Sequence, residues 1–360
     1  MSSVEKISIL GYKSIKALDE FPLTKLNLLI GANGAGKSNF IGFFRLLHEM
    51  QQQSLAEYVA VKGGPDALLH FGRKTTAQLE GRLWFANNGY HFKLKPTDDN
   101  RFVFVHEVSE LVKKRYPGDA SADLGKGHAE SQLPSAKDPY SPYIRKAMAS
   151  WQVYHFHDTS DSALVKRIHP SNDNLKLRDD GANLAPFLMM LAKDYPAEYE
   201  RIIDHIQLVA PYFGAFVHRY DEPNVQIEWQ QKSHKIPLRA HMLSDGTLRF
   251  ICLATLLMQP PELQPDTILI DEPELGLHPY AVTVLAAMLR QASELKQIVV
   301  ASQSVQLVDE VTPEDVIVVE QNSNDGSSTF IRLTNAELSE WLKTYSLGQL
   351  WQKNLVGGRP

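Results

Sequence analysis

The strongest signal in the chain is a set of continuous aliphatic runs. Residues 26–30 (Leu-Asn-Leu-Leu-Ile), 267–270 (Thr-Ile-Leu-Ile) and 297–301 (Gln-Ile-Val-Val-Ala) read as strands buried on both faces, as the strands of a parallel sheet are. Apolar stripes at helical spacing stand beside them: Phe40, Phe43, Phe44 and Leu47 within residues 39–50, an apolar helix over 248–258, and another over 280–295. Strands alternating with such helices predict an α/β fold. Residues 7–10 form a further strand, joined towards 26–30 through Gly11-Tyr12-Lys13-Ser14-Ile15. Short alternating segments at 79–85, 90–94 and 102–105, with Asn87-Asn88-Gly89 as a turn, predict an appended antiparallel sheet. Residues 116–141 are rich in Gly, Pro, Ser, Asp and Lys without periodicity and read as an exposed, mobile loop. Next come a helix at 144–150, a strand at 152–157, a helix capped by Asn183 that runs through Phe187, Leu188 and Leu191, and another at 196–209. The last two suggest a helical lid. Strands at 225–229, 316–320 and 329–333 follow, the last pair around Asn324-Asp325-Gly326, and Trp341, Leu350 and Trp351 read as packing residues. The implied organisation is a composite core of 1–75 and 236–360, a β lobe at 76–115, and an insertion at 116–235 made of the loop and the lid.

Composition narrows this picture. The 360 residues are 43% hydrophobic and 22% charged, enough for one large or two modest globular domains. A net charge of −5 argues against a protein that coats nucleic acid by overall basicity. Local basic groups remain at Lys113-Lys114-Arg115 and Lys166-Arg167, and solvated surface is their simpler reading. The single cysteine, Cys252, lies in an apolar run, which fits a core residue and a reducing compartment. Neither a signal peptide nor a run of membrane-spanning length is recognisable, so a cytoplasmic location without membrane contact is expected.

Candidate chemistry is concentrated where the aliphatic runs end. After 26–30 comes Gly31-Ala32-Asn33-Gly34-Ala35-Gly36-Lys37-Ser38, the pattern G-x-x-x-x-G-K-[ST] between a strand and a helix. Such a loop turns the backbone N–H groups of Asn33, Gly34, Ala35, Gly36, Lys37, Ser38 and Asn39 toward phosphates at a helix N-terminus. Lys37 neutralises the β and γ phosphates, and the Ser38 hydroxyl ligates Mg²⁺. The run at 267–270 ends in Asp271 and Glu272, where α/β sheets bind ligands. Asp271 is the second metal candidate, holding Mg²⁺ through water, and Glu272 is the candidate general base. The third run ends at Ser302-Gln303-Ser304, placed to sense a γ-phosphate or to position water. Leu243-Ser244-Asp245-Gly246-Thr247 opens a buried helix with free N–H groups and a hydroxyl. His155 and His157 share a strand face with Asp158 next in line; polar residues at a strand end, rather than a metal site, are the favoured reading.

Together these motifs resemble the ABC-type ATPase heads of the RecF and SMC class, in particular compact bacterial ATPases of the AAA-21 type. The resemblance rests on Gly11-Tyr12-Lys13-Ser14, the phosphate loop, Leu243 to Thr247, Ile268 to Glu272, and Glu274-Leu275-Gly276-Leu277-His278-Pro279 at the place of the D-loop. It is specific over the first fifty residues and from about 240 to 305. Tyr154 to Thr159 and Leu177 to Gly181 extend it more weakly. The resemblance implies a P-loop NTPase of ABC-head type, with an antiparallel β lobe and an inserted helical lid, that binds ATP and Mg²⁺. It implies a homodimer that sandwiches ATP, in which Ser244 and Gly246 act on nucleotide held by the other copy, and it makes Lys13 and Ser14 further nucleotide contacts. Gln303 stands where many relatives carry a switch histidine, and slow turnover is the expectation. No heptads are present, which excludes the long arms of SMC proteins, and no toprim-like acidic cluster is present, so a nuclease or other effector is expected as a separate subunit. The resulting reading is a motor or switch in a DNA-directed process such as repair or anti-phage defence; the alternative is an ATP-controlled switch that docks a protein partner without DNA.

Overall fold

In the computed structural model, residues 3–112 and 121–359 are described. The chain divides into two compact units, Met1–Gln152 with Pro313–Pro360, and Val153–Thr312. The cuts pass through the stretches expected as insertion (116–235) and as core (236–360).

In the first unit, β1 (Lys6–Tyr12) turns into β2 (Ile15–Pro22) through Lys13 and Ser14, with Tyr12 paired to Ile15 and Lys13 at φ 48°. No strand was expected at 15–22. Its register slips between Ile7 and Ile9, and Glu20 takes φ 40°, so β2 buries about every third residue and lacks the alternation that marks a strand. β3 (Leu26–Ile30) leads into the phosphate loop, then α1 (Lys37–Gln51) and α2 (Leu55–Val61). β4 (Leu79–Phe85), β5 (Asn88–Pro96), β6 (Phe102–Leu111) and β7 (Ser121–Asp123) complete an antiparallel sheet of order β2-β1-β4-β5-β6-β7. The β4–β5 turn sits at Ala86 and Asn87; Asn88 already pairs with Phe85, one residue earlier than expected.

Helix α1 is the aromatic hub of this unit. Phe43 meets Tyr12 edge-on at 5.3 Å and stacks on Phe92 at 6.3 Å, Phe40 lies 5.5 Å from Phe330, and Phe44 lies 5.2 Å from Trp151. Each such pair contributes about 0.5–1.5 kcal/mol beyond the area it buries. Gly81 has to be glycine, because a Cβ there would stand 2.5 Å from the Phe92 ring and 2.8 Å from Phe43.

Residues 121–141 are largely irregular, as their composition suggested, but most are half-buried or buried rather than exposed; residues 113–120 lie outside the described residues. Buried Glu107 accepts from Tyr90 Oη at 2.6 Å, Ser131 Oγ at 2.5 Å and Gln132 N at 2.9 Å. Glu130 accepts from the backbone N–H groups of Leu55 and Ala56 at 2.9 and 2.8 Å, supplying the first turn of α2 with the partner its own N-cap does not. Two carboxylates therefore pin a segment that has little apolar content. Helix α3 (Ser141–Ala149) and β8 (Gln152–Tyr154) follow, and the chain enters the second unit within β8.

The second unit contains β9 (His169–Pro170), α4 (Leu184–Asp194), α5 (Pro196–Val209), β10 (Phe213–Phe216), β11 (Asn224–Val225), β12 (Glu228–Gln231) and β13 (His234–Arg239). It continues through α6 (Asp245–Met258), β14 (Thr267–Asp271), α7 (Pro279–Ser293), β15 (Gln297–Ser302) and α8 (Val305–Asp309). β14 and β15 are parallel and in register from Thr267↔Gln297 to Asp271↔Ala301, while α5 packs on α4, α6 and α7. Asn183 precedes α4, but its side chain does not cap the helix. Instead Oδ1 accepts from Arg178 N at 2.9 Å and Nδ2 donates to the carbonyls of Asp173 and Lys176, which ties down the preceding loop.

The chain returns to the first unit with β16 (Val316–Gln321), β17 (Ser328–Arg332), α9 (Asn335–Leu338) and α10 (Leu347–Gln352). β16 lies parallel to β3 and antiparallel to β17. Leu350 and Trp351 are buried as expected, whereas Trp341 is half exposed. Among the described residues no helix is long and apolar enough to cross a membrane.

Candidate functional site

The sequence-predicted residues fall into two groups. Lys13, Ser14 and residues 33–39 belong to the first unit; Ser244, Gly246, Asp271, Glu272 and Gln303 belong to the second.

In the first unit the loop closes through three glycines at positive φ, Gly31 (153°), Gly34 (80°) and Gly36 (117°). A Cβ on Gly31 would stand 2.2 Å from the Val319 carbonyl oxygen, and one on Gly36 would stand 2.1 Å from Ser328 Oγ. At Gly34 a Cβ would meet nothing within 4 Å, so only backbone conformation selects glycine there. Ala32, Asn33, Gly34 and Ser38 form the exposed rim, while Ala35, Gly36 and Lys37 are buried. The Lys37 ammonium reaches back to the carbonyls of Gly31 at 2.6 Å and Ala32 at 3.1 Å. A buried cation held over a cradle of this shape fits a polyphosphate.

Ser14 is turned to the support of this loop. Its hydroxyl accepts from Asn39 Nδ2 at 2.7 Å and from Ser328 Oγ at 2.8 Å, and Ser328 lies 2.5 Å from the Ala35 carbonyl. Ser328, at the start of β17, carries no sequence signal that would have marked it. Lys13 lies beside it, its ammonium 5.4 Å from the Tyr12 ring centroid, and burial, with the Lys62 charge, pushes its pKa down. Lys13 and Ser14 also line a cavity of about 650 Å³ with Leu69, Phe71, Arg73 and Gln321.

In the second unit β14 delivers Asp271 and Glu272 to one end of the strand. Glu272 takes φ 46°, a left-handed conformation uncommon for a non-glycine residue, and its N–H donates to the Ala301 carbonyl at 2.8 Å. The Gln303 amide donates to Glu272 Oε1, so the residue expected to sense a γ-phosphate sits on the candidate base. His157 Nε2 bonds the Asp271 carbonyl at 2.9 Å. This matches a polar strand end. Among the described residues no group of three or more His, Cys, Asp or Glu side chains is arranged to hold a metal ion.

Ser244 caps α6, accepting from Thr247 N at 3.2 Å. Gly246 has a packing reason to be glycine, since a Cβ would stand 2.5 Å from the Gly276 carbonyl oxygen. Lys166 is buried and lies 3.5 Å from Asp245, so it is not the solvated cation its sequence context suggested. Arg249 donates to the carbonyls of Phe156 (2.9 Å), His157 (3.0 Å) and Leu275, fastening α6 to the segment before Asp158 and to the turn after Glu272. A charged residue inside the otherwise apolar run 248–258 was the available signal for it.

Comparison with known proteins follows the same lines. The sequence model of the AAA_21 family, described as "AAA domain, putative AbiEii toxin, Type IV TA system", matches residues 78–309. A putative ABC transporter ATP-binding protein of Methanosarcina acetivorans is 30% identical over 83 residues, a match spanning 23% of this chain and 29% of that protein. The solved SMC head bound to the C-winged helix domain of ScpA superposes with a TM-score of 0.63 at 16% identity, over 94% of this chain and 99% of the other. An Smc head with an extended coiled coil, bound to the C-terminal domain of ScpA and derived from Pyrococcus furiosus, gives 0.55 at 14%, over 95% and 99%.

Proposed function

Since the chain belongs to the AAA_21 family and carries the fold of an SMC ATPase head, we propose that it is an ATP-hydrolysing switch that works as a homodimer. The observation that carries this reading is the glycine-built cradle with the Lys37 ammonium held across it. ATP lies along residues 33–39, with Lys37 on the β and γ phosphates and the nucleoside beside Lys13, Ser14 and Phe71. Ser38 and, through water, Asp271 would hold Mg²⁺, which would supply charge neutralisation on the phosphoryl oxygens. Glu272 takes the proton of the attacking water, and Gln303 keeps its carboxylate oriented. Ser244 and Gly246 of a second copy close on the γ-phosphate, so nucleotide acts as a clamp between copies, released on hydrolysis. The rate expected is slow.

The process served is a DNA-directed one, such as repair or anti-phage defence, with a separate effector subunit. A specific observation favours the second reading, a switch that docks a protein partner without DNA: Lys166 is buried against Asp245, and both SMC head structures are complexes with a separate protein, ScpA. Glu272→Gln tests the catalytic core. With ATP and Mg²⁺ it is expected to hydrolyse at least a hundredfold more slowly and to accumulate a nucleotide-bound dimer; a variant that turns over normally, or stays monomeric, contradicts the assignment. Salt-dependent binding to duplex DNA that requires ATP separates the two readings, and none at low salt removes DNA.

A further inference from the structure

The carboxyl of Glu274 serves neither phosphate nor metal in the reading above, yet it is placed with care. Oε1 accepts two hydrogen bonds from the end of β15, from Ser302 Oγ at 2.7 Å and from the Gln303 N–H at 2.8 Å. Ser302 is fully buried, and its hydroxyl oxygen in turn accepts from Ser304 N at 3.0 Å. The backbone of residues 302–304 is thereby fixed from the side chain of a residue in the turn after Glu272. The Gln303 side chain, springing from that fixed backbone, donates to Glu272. The second oxygen, Oε2, is buried without a hydrogen-bond partner among the described residues. Burial raises the pKa of this carboxyl, with a smaller push from the charge of Glu272 and an opposing pull from its two donors. A buried carboxyl beside a second carboxylate is costly to keep unless its geometry serves something.

We propose that Glu274 is a positioning residue for hydrolysis: it holds Gln303 in the one backbone placement from which the Gln303 amide meets Glu272. This rests on the reading of Glu272 as general base. Glu274 touches neither nucleotide nor water in it and acts only through Gln303. The isosteric glutamine keeps an acceptor at Oε1 and so keeps the placement; alanine removes both bonds and releases the 302–304 turn.

The test is steady-state ATP hydrolysis by the full chain for wild type, Glu274→Gln, Glu274→Ala, Gln303→Ala and the Glu274→Ala/Gln303→Ala double variant, with thermal unfolding of each. Displacement of a group that orients a base costs about tenfold to a hundredfold in kcat. We expect that loss for Glu274→Ala with KM for ATP within about twofold, and recovery to within about threefold of wild type in Glu274→Gln. In the Gln303→Ala background Glu274→Ala should cost less than about twofold more, because a residue acting through Gln303 has nothing left to act on. Additive losses, or loss of kcat in Glu274→Ala only in step with a lowered unfolding temperature, overturn the proposal and leave the Glu272 assignment standing. Wild-type turnover that Glu272→Gln does not reduce overturns the underlying reading and this proposal with it.

Discussion

Removing Arg249 gives the sharpest stability prediction, because its guanidinium binds three backbone carbonyls from two separate segments. Those acceptors are Phe156, His157 and Leu275, and the side chain is largely buried in α6. Hydrogen bonds from a charged donor contribute about 1.5–3 kcal/mol each. The three are not independent, and the freed carbonyls regain some water, so Arg249→Leu is expected to cost about 3–5 kcal/mol. For a unit of this size that is a drop of roughly 10 °C in Tm. Arg249→Lys keeps the charge but not the fork. A single ammonium cannot reach carbonyls arranged around Nε and both Nη atoms, so it should recover less than about half of the loss. Burial lowers the pKa of Arg249, against the opposing pull of Asp245 and the Cys252 thiol. The assay is urea unfolding followed by near-UV circular dichroism. A loss below about 1 kcal/mol in Arg249→Leu, or a lysine variant indistinguishable from wild type, would refute the view that this side chain fastens α6 to the turn after Glu272.

Other outcomes follow from the same geometry. Gly36→Ala puts a Cβ on Ser328 Oγ at φ 117°, and Gly34→Ala meets only the backbone conformation. Fluorescent-ATP titration should therefore show Gly36→Ala losing more than about a hundredfold in affinity and Gly34→Ala about tenfold, with equal effects counting against the cradle. Ser328→Ala removes the hydroxyl that links Ala35 to Ser14; it should weaken ATP affinity severalfold without touching kcat, and a pure kcat effect would misplace Ser328. His218 is held neutral by burial, its pKa lowered to about 4. The unfolded imidazole, near 6.5, binds a proton that the folded one refuses. The stability from this group is present above pH 6.5 and lost as pH falls toward 4, so His218→Phe should flatten the midpoint-against-pH curve in that window; an unchanged slope would assign the sag elsewhere.

Much of the candidate site stands out in the sequence because it lies where aliphatic runs stop. Residues 26–30 and 267–270 are strands by composition alone, and the loop and the Asp271-Glu272 pair begin at their ends. What escaped has non-local causes. β2 carries a bulge between Leu18 and Phe21 and so lacks alternation. Residues 121–141 look like loop because the groups that order them, Glu107 and Glu130, act across the sequence on Ser131 and on the start of α2. The bonds by which Ser14 supports the phosphate loop also escape the sequence, because its partners Asn39 and Ser328 are far off in the chain. Asn183 has the residue type of a cap and spends its amide on the preceding loop instead, a choice that local sequence does not encode.

The proposed mechanism requires one catalytic site to be built from two copies of the chain. Lys37→Met removes the phosphate lysine and Ser244→Arg blocks the start of α6, and each variant alone should be inactive. A mixed dimer restores one site whose phosphate loop and Ser244 are both intact, so an equimolar mixture should recover about a quarter of wild-type ATP hydrolysis if copies pair at random, together with an ATP-dependent dimer. A mixture as inactive as its components, with no dimer formed on adding ATP, would contradict the shared site.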